Sequence, residues 1–347
     1  MRPKCLVILF EAAPSGNVNN SPSAVWLKNK HPDIDFTFVM RGDVAVSQHL
    51  GFYQTSIKSF AFLKGLLLSS TFRRKVKDVQ QQLDLVADSY DYLWVRGPGI
   101  IPLYHGLKVA TRPQFADKQK LILHLCANRL TMDFLLKHFS LGHCAKFLSG
   151  KIAHYLVKRI RPFVHHFLYT GSQVKRNFTL PDSAQYLIDT VVYEQTAKAK
   201  TKNIIFLGRI EKLAGFKKQL YELQKQGIKV DAYGSDSTSV PDDCVNKMGY
   251  IAPEHVLKTF SEYKLCLCTT HEYYEGFPRV ILEALAARCI VLINRGSVFE
   301  HDVEKLAGVK LFGESLTDTV LEQLANHDES FPKVGFMHLE LYSQAVM

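Results

Sequence analysis

Residues 269–287 read Thr-Thr-His-Glu-Tyr-Tyr-Glu-Gly-Phe-Pro-Arg-Val-Ile-Leu-Glu-Ala-Leu-Ala-Ala, and the most specific pattern of the sequence lies here. Short apolar runs at 265–268 and 289–293 flank it, and each predicts a buried strand. Between them, Pro278 stands where a first helical residue is favoured, and the Ala- and Leu-rich run to Ala287 predicts a helix. A strand, a loop, a helix and a return strand are typical of a parallel α/β sheet.

The loop in front of this helix predicts a site for an anion. Backbone N–H groups at a helix N-terminus suit a phosphate. Glu275 lies on the loop, and Glu283 follows about one and a half turns into the helix. The spacing of the two glutamates is not specific, because it recurs at Glu254 and Glu262. Only the first pair has Gly-Phe-Pro after its first Glu and a buried strand before it. The alternative is an amphipathic helix with two solvated carboxylates.

In its full form, this stretch resembles the donor site of the family-4 retaining glycosyltransferases (glycosyl transferases group 1), which have the GT-B fold. The resemblance implies an α/β chain with two Rossmann-like domains facing a central cleft. It covers residues 203–312 well and residues 1–190 only in rhythm. It further implies an acceptor-binding domain at 1–194, a donor-binding domain at 195–332 and a helix at 333–347 that crosses back to the first domain.

The resemblance also implies roles for single residues. Glu283 would accept hydrogen bonds from ribose hydroxyls, as acidic residues do in dinucleotide folds. The helix N-terminus and Arg209, which follows a predicted strand in a Gly-Arg turn, would neutralise the diphosphate as it leaves. Ala214 holds the place of the usual lysine, so the candidate for a second phosphate-binding cation is Lys212, with Lys217 on the following helix as the alternative. The residues assigned to the donor are Arg209, Lys212, Gly276, Phe277, Pro278, Arg279 and Glu283.

Two residues are candidates for the reaction itself. Glu275 would hold sugar hydroxyls in the position that exposes the anomeric carbon. His124 is the penultimate residue of a predicted strand at 121–125, and the carboxyl ends of such strands face the ligand crevice in open α/β sheets. Many family members carry a His on the corresponding element, contacting donor or acceptor. The alternative for His124 is a core histidine with its hydrogen bonds satisfied.

The net charge of +10 is unevenly distributed. Residues 1–190 hold 25 Lys and Arg against 12 Asp and Glu, whereas residues 191–347 hold 18 against 21. The basic half indicates an anionic partner. A helical stretch at 57–85 places Lys and Arg beside Phe and Leu, as does a second stretch at 134–163, and such a surface suits an anionic membrane. A core helix with a charged outer end is the alternative for residues 57–85. Nucleic acid is not expected as a partner, because these stretches read as helices rather than stacking platforms.

The composition excludes several classes of protein. A length of 347 residues predicts two domains. No run of eighteen apolar residues exists, so no membrane span is predicted, and the apolar run after Lys4 is too short for a signal peptide. The seven cysteines show no zinc spacing, and Cys266 and Cys268 alternate on one strand as core residues do. These features predict a reduced, cytoplasmic protein without a metal site or a cofactor.

The function predicted is that of a retaining, metal-independent glycosyltransferase. It would move a sugar from a nucleotide-sugar donor to a glycan or lipid-linked acceptor, in cell-surface polysaccharide or lipopolysaccharide synthesis. A peripheral position on the inner face of the plasma membrane follows from the basic half. The alternative is a non-catalytic GT-B-fold protein that binds a nucleotide sugar or a glycan.

The predicted elements alternate in both halves. The first half has strands at 6–10, 36–40, 92–95, 121–125 and 166–169. The second half has strands at 203–207, 229–233, 265–270, 290–293 and 309–312, with helices at 215–227, 253–263, 278–288, 298–307 and 315–327. A polar linker is predicted at 194–202.

Overall fold

Parallel β-strands form the framework of the chain. The computed structural model describes residues 2–12, 27–28, 31–41, 70–97, 99–113, 115, 120–127, 129–137, 139–186, 200–235, 239–252, 255–269, 277–297, 299–304 and 306–326. These residues divide into two compact units, and each unit contains one six-stranded sheet.

The first unit alternates strands and helices along the chain. Its strands are β1 (Lys4–Ala12), β2 (Asp35–Arg41), β3 (Tyr92–Gly97), β4 (Lys120–Leu125), β5 (Val164–Tyr169) and β6 (Gln185–Tyr186). Its helices are α1 (Ser70–Val86), α2 (Ile100–Ala110), α3 (Met132–Lys137), α4 (Leu141–Ile160) and α5 (Ser172–Phe178), with short 3₁₀ turns at Ala87–Ser89 and Arg161–Phe163.

The first sheet is parallel throughout, with the strand order β2-β1-β3-β4-β5-β6. The order reverses between β1 and β3, where the chain has turned back to the other side of its first strand. Helices cover the face of the sheet that holds Leu6, Val95 and Leu123. Trp94 and Ile122 lie on the opposite face and are also buried. Burial on both faces explains why these strands read as continuous apolar runs.

The second unit repeats the pattern. Its strands are β7 (Lys202–Leu207), β8 (Val230–Tyr233), β9 (Val245–Gly249), β10 (Tyr263–Cys268), β11 (Ile290–Asn294) and β12 (Val309–Phe312). Its helices are α6 (Lys217–Lys225), α7 (Val256–Phe260), α8 (Arg279–Ala286), α9 (Glu300–Val303) and α10 (Leu316–Ala325), with a 3₁₀ helix at Ile210–Phe216.

The second sheet is also parallel throughout, with the order β12-β11-β10-β7-β8-β9. This is the order of a doubly wound Rossmann sheet, in which the first strand is central and the chain reverses beside it. The 3₁₀ helix, α6 and α10 pack on one face against residues such as Phe206 and Leu267. Helix α8 packs against α7, β10 and β11 and buries Ile281, Leu282 and Leu285.

Most predicted elements of the second unit are present, with shifted ends. The strand predicted at 265–270 runs from Tyr263 to Cys268, and the helix predicted at 215–227 is a 3₁₀ helix that passes into α6. Strand β9 was not predicted, because Val-Asn-Lys-Met-Gly lacks an apolar alternation and lies at the exposed edge of the sheet.

In the first unit, helix α1 begins at Ser70, so the predicted stretch at 57–85 is described only in its second part. The stretch at 134–163 is two helices, α3 and α4. Of the linker predicted at 194–202, residues 194–199 lie outside the described residues, and Lys202 is the first residue of β7. The helix predicted at 333–347 lies outside the described residues.

Two glycines let the loops after β7 and β8 meet backbone to backbone. Gly208 has φ 153°, and its N–H donates to the carbonyl of Tyr233 at 2.9 Å. Gly234 has φ 146°, and its N–H donates to the carbonyl of Gly249 at 2.9 Å. A Cβ on Gly234 would lie 1.7 Å from the carbonyl oxygen of Gly208. Only glycine therefore fits at 234, and its contact fixes the turn that follows β7.

Replacing Gly234 with alanine should destabilise the second unit strongly. The new methyl group meets a backbone oxygen that cannot move without breaking the Gly208 turn, so we expect a loss on the order of 3 kcal/mol or more. The matched control is Gly227→Ala, since Gly227 also has a positive φ of 70° but faces open space, and about 1–2 kcal/mol is expected there. Thermal and urea unfolding followed by circular dichroism measures both losses. Equal losses in the two variants would show that the close approach does not matter.

Candidate functional site

The second sheet reverses its order between β7 and β10. The two strands are neighbours, with Ile205 opposite Cys266, and their following loops leave in opposite directions. In open α/β sheets, such a reversal opens a crevice at the carboxyl ends of the strands, and ligands bind there. Arg209 and Lys212 follow β7, whereas α8 follows β10. The residues predicted to bind the nucleotide-sugar donor therefore follow the ends of β7 and β10, the two strands between which the order reverses.

The turn after β7 presents two cations. Arg209 precedes the 3₁₀ helix, and the backbone N–H of Lys212 donates to the Arg209 carbonyl at 2.9 Å. The guanidinium Nη1 of Arg209 lies 2.9 Å from Glu211 Oε1, and both side chains are about half exposed. An exposed ion pair of this kind contributes at most about 1 kcal/mol, so an anionic ligand can compete for the guanidinium.

The start of α8 lacks a side-chain cap. Pro278 is the N-cap residue, and Arg279 is the first helical residue, one position later than the sequence predicted. No side chain accepts a hydrogen bond from the first turn, as far as the described residues go, and such a terminus favours an anion. Pro278 itself has no N–H to offer, while Phe277 is buried beneath the turn. Glu275 and Gly276 lie outside the described residues.

Arg279 and Glu283 lie one turn apart on α8. Arg279 Nη2 is 3.5 Å from Glu283 Oε1, and only 18% of the Glu283 side chain is exposed. Burial raises the pKa of Glu283, and the charge of Arg279 offsets part of that rise. Arg279 Nε is buried and has no acceptor within the described part of the chain. Helix α8 therefore has a hydrogen-bond donor, Arg279 Nε, without an acceptor among the described residues, one turn from the desolvated carboxylate of Glu283.

Two buried hydroxyl groups, which were not predicted, follow β10 and its neighbour β11. Thr269 directly follows β10, and Ser297 follows β11 with its N–H donating to the Asn294 carbonyl at 3.3 Å. Neither hydroxyl has a hydrogen-bond partner among the described residues. The sequence prediction missed Thr269 because it placed the residue inside the strand. The available signal was a small hydroxyl residue directly after a buried apolar run.

His124 belongs to the first unit. It is fully buried near the carboxyl end of β4, opposite Arg96 of β3 and Leu168 of β5. Its ring lies 6.1 Å from the Trp94 ring, centroid to centroid, at a tilt of 50°. Arg96 is also buried, which is unusual for an arginine and places a positive charge beside the reversal of the first sheet. Sequence reasoning passed over Arg96 because it read the residue as the end of a strand.

The described residues hold no group of three or more His, Cys, Asp or Glu side chains suited to a metal ion. All seven cysteines lie among the described residues and none forms a disulfide, and Cys266 and Cys268 are buried as predicted. The chemistry within reach of the described site is therefore that of Arg, Lys, a buried Glu and hydroxyl groups.

Comparison with known proteins identifies the architecture. No protein-family model and no curated protein sequence matches the chain. Among solved structures, the sucrose-phosphate synthase of Thermosynechococcus elongatus is similar at a TM-score of 0.66 with 13% identity, over 98% of this chain and 95% of that one. The chain has the GT-B fold.

Further GT-B structures agree over the whole length. An α,α-trehalose-phosphate synthase (UDP-forming) from Burkholderia vietnamiensis has a TM-score of 0.59 at 12% identity, covering 99% of this chain and 94% of that one. A UDP-GlcNAc 2-epimerase from Neisseria meningitidis, bound to UDP-GlcNAc, has a TM-score of 0.52 at 13% identity, covering 98% and 94%. At these identities the likeness establishes the GT-B fold, while membership of family 4 stays a prediction.

Glu283 allows stability and ligand binding to be separated. Burial disfavours its ionised form, so a raised pKa means that the carboxylate costs stability at neutral pH. We expect Glu283→Gln to leave the melting temperature unchanged or higher at pH 7, because the amide removes the buried charge. The same change should weaken nucleoside diphosphate binding about tenfold or more, since the resemblance assigns this carboxylate as the charged acceptor for ribose.

The pH dependence provides the control for this variant. The nucleotide affinity of the unmodified protein should fall as the pH falls towards the raised pKa of Glu283, at a higher pH than the pKa of an ordinary glutamate would give. The variant should lack this change. Calorimetric titrations at several pH values measure it. A variant that melts lower and binds nucleotide normally would assign Glu283 a structural role instead.

Proposed function

We propose that this GT-B protein is a glycosyltransferase that moves a sugar from a nucleotide-sugar donor to a glycan or lipid-linked acceptor. One observation carries the proposal. Arg209 follows β7, and the uncapped helix α8, which carries Arg279 and Glu283, follows β10. Cationic side chains and a buried carboxylate therefore lie after the two strands between which the order of the sheet reverses. A nucleoside diphosphate needs both, since its phosphates are anionic and its ribose donates hydrogen bonds.

The proposed roles follow from the charge that develops in the reaction. When the glycosidic bond breaks, the diphosphate gains negative charge, and Arg209, Lys212 and the N-terminus of α8 would stabilise it. Glu283 would hold the ribose, and Glu275 would orient the sugar. With the leaving phosphate assisting attack on the same face of the sugar, transfer would retain the anomeric configuration. In this scheme the phosphate charge is balanced by protein groups, so no metal ion is required.

Names of the similar structures support a nucleotide ligand more strongly than they support transfer. One neighbour is a sucrose-phosphate synthase and another a UDP-forming trehalose-phosphate synthase, whereas the third is an epimerase bound to UDP-GlcNAc. UDP appears in the names of the second and third, while the chemistry that the names describe differs. A non-catalytic protein that binds a nucleotide sugar is therefore the second candidate, and a panel of donors with product analysis separates the two.

The central experiment combines binding and turnover. UDP, GDP and ADP are titrated into the protein by calorimetry, and the matching sugar nucleotides are incubated with glycan and lipid-linked acceptors. Arg209→Gln should weaken the preferred nucleotide about tenfold to a hundredfold, because a charged hydrogen bond contributes about 1.5–3 kcal/mol. Transfer should persist in EDTA and retain the anomeric configuration.

Lys202→Gln is the matched control. Lys202 also forms an exposed ion pair, at 2.8 Å to Glu262, but it begins β7 while Arg209 follows the end of that strand. Loss of binding in both variants would indicate a general charge effect, and failure of all three nucleotides to bind would remove the proposed donor site. Binding without transfer to any acceptor, in the unmodified protein, would favour the second candidate.

We further propose that the first unit docks on an anionic membrane where a lipid-linked acceptor resides. The end of α3, the connection after it and the start of α4 expose Leu136, Phe139 and Leu141, whose exposed fractions are 74%, 75% and 83%. Farther along α4, Lys151 and Lys158 are exposed about one turn from Leu148 and Tyr155, whose exposed fractions are 51% and 60%. Apolar side chains beside cations suit the boundary between lipid headgroups and acyl chains. None of the described helices combines the length and apolar character needed to cross a bilayer.

Vesicle co-sedimentation tests this docking. Binding should require anionic lipid and fall with salt, because each cation near the surface contributes about 1 kcal/mol. A triple change of Leu136, Phe139 and Leu141 to serine should reduce the bound fraction several-fold. Leu321→Ser is the control, since Leu321 is an exposed leucine of the second unit. Equal recovery in the supernatant with and without anionic vesicles would favour a soluble acceptor.

A further inference from the structure

A lysine amine lies among carbonyl oxygens in the second unit. Lys200 Nζ is 2.5 Å from the Tyr263 carbonyl, 2.9 Å from the Ala287 carbonyl and 3.5 Å from the Phe260 carbonyl. The same nitrogen is 3.6 Å from the Sγ of Cys289. These contacts join the residue just before β7 to the segments that precede β10 and β11. The amine is half-buried and held on several sides.

The Cys289 thiol shares two of these acceptors. Its Sγ lies 3.1 Å from the Phe260 carbonyl and 3.2 Å from the Tyr263 carbonyl, and the residue has no exposed surface. The thiol and the amine therefore sit side by side, each directed by the same two carbonyls. Because the shared carbonyls are backbone atoms, neither group can leave the other without losing hydrogen bonds.

We propose that Lys200 and Cys289 form a modification site, at which a peroxide oxidant links the two side chains covalently. The Cys289 thiolate attacks one oxygen of hydrogen peroxide, the O–O bond breaks, and a sulfenic acid and hydroxide are produced. The neutral Lys200 amine then attacks sulfur, the S–OH bond breaks, and the hydroxide leaves with an amine proton as water. The product is a sulfenamide N–S bond, and one peroxide has been reduced to two molecules of water.

The surroundings set the pH at which this occurs. Burial raises the pKa of the Cys289 thiol to about 11, although Lys200 opposes that rise, and burial lowers the pKa of the Lys200 amine. Raising the pH therefore increases both reactive forms, the thiolate and the neutral amine. Cys266 and Arg288 are the other titratable groups that interact with this pair. The rate of cross-linking should rise at least about tenfold per pH unit between about pH 7 and 9.

Cys244 provides a comparison within the same unit. It is buried as Cys289 is, and its Sγ likewise contacts a backbone carbonyl, that of Pro241 at 3.3 Å. Cys289 differs by the lysine nitrogen at 3.6 Å. Oxidation of Cys244 should therefore stop at sulfur–oxygen products or not occur, whereas Cys289 should be captured by the amine.

The test is peptide mapping of the full-length protein after treatment with hydrogen peroxide at pH 7, 8 and 9. The expected product joins the peptides containing Lys200 and Cys289, at about 2 Da below their summed mass, and dithiothreitol should release it. A joined product retaining one oxygen between nitrogen and sulfur, formed with a second peroxide, would support the same pairing. Lys200→Met and Cys289→Ser should each abolish the product.

The mapping of the unmodified protein is decisive even if either variant fails to fold. Recovery of Cys289 as sulfinic acid in a separate peptide, or as unmodified thiol at pH 9, would overturn the proposal. A joined peptide involving Cys244, or cross-linking only after the protein is unfolded in urea, would overturn it too. None of these outcomes depends on nucleotide binding, so the test of this proposal is independent of the proposed function.

Discussion

Parallel pairing is the constraint on which this structure depends. Because adjacent strands in each sheet run the same way, every strand ends at the same edge, and each return passes through a helix or loop on the outside. The strands are then buried on both faces, which requires continuous apolar sequences such as those around Val95 and Leu267. Polar side chains can follow these runs only at the strand ends. Arg96 stands there in the first sheet, and Arg209 and Thr269 stand there in the second, so polar chemistry collects at the carboxyl edge of each sheet by geometry alone.

Helix α8 links the candidate site to the interior of the second unit. Its N-terminus carries partial positive charge and has no side-chain cap, and its C-terminal region reaches the Lys200 amine through the Ala287 carbonyl. A cation at the C-terminus and an anion at the N-terminus both stabilise the helix dipole. Helix α8 is only eight residues long, so a charge at one end lies close to the other end as well. Lys200 thus supports, from the far end, a helix whose near end is proposed to meet phosphate.

The order of elements could be predicted from the sequence, because parallel strands and their helices leave strong apolar and Gly or Pro signals. The strand and the helix on either side of residues 270–276 illustrate this, since both lie close to their predicted bounds. Strand β9 could not be found in this way, because an exposed edge strand has no need of an apolar pattern. The predicted placement of Pro278 was off by one residue, since a helix boundary depends on cap geometry rather than composition.

Within the site, residue types could be predicted but their surroundings could not. Arg209 and Glu283 were predicted as donor-binding residues from the resemblance of local motifs, and that role stays a prediction. The burial of Glu283 and its pairing with Arg279 depend on how α8 packs. Buried hydroxyls and the Lys200 contacts were invisible for the same reason, because Lys200 meets residues 60 to 89 positions away in the chain. Long-range contacts of single polar atoms leave no periodic trace in a sequence.

The reversal of strand order also has a consequence for how the chain folds during synthesis. In the second sheet, β7 and β8 can pair as they leave the ribosome, but β10 must return to β7 across residues 208–262. Closing a loop of that size costs on the order of 4 kcal/mol in chain entropy. The first sheet has the same step, where β3 returns to β1. Each domain therefore has one slow pairing, and in the second it lies beneath the proposed crevice. A nascent chain that stalls before this step would expose an edge of β7, and the ligand crevice would be among the last features to form.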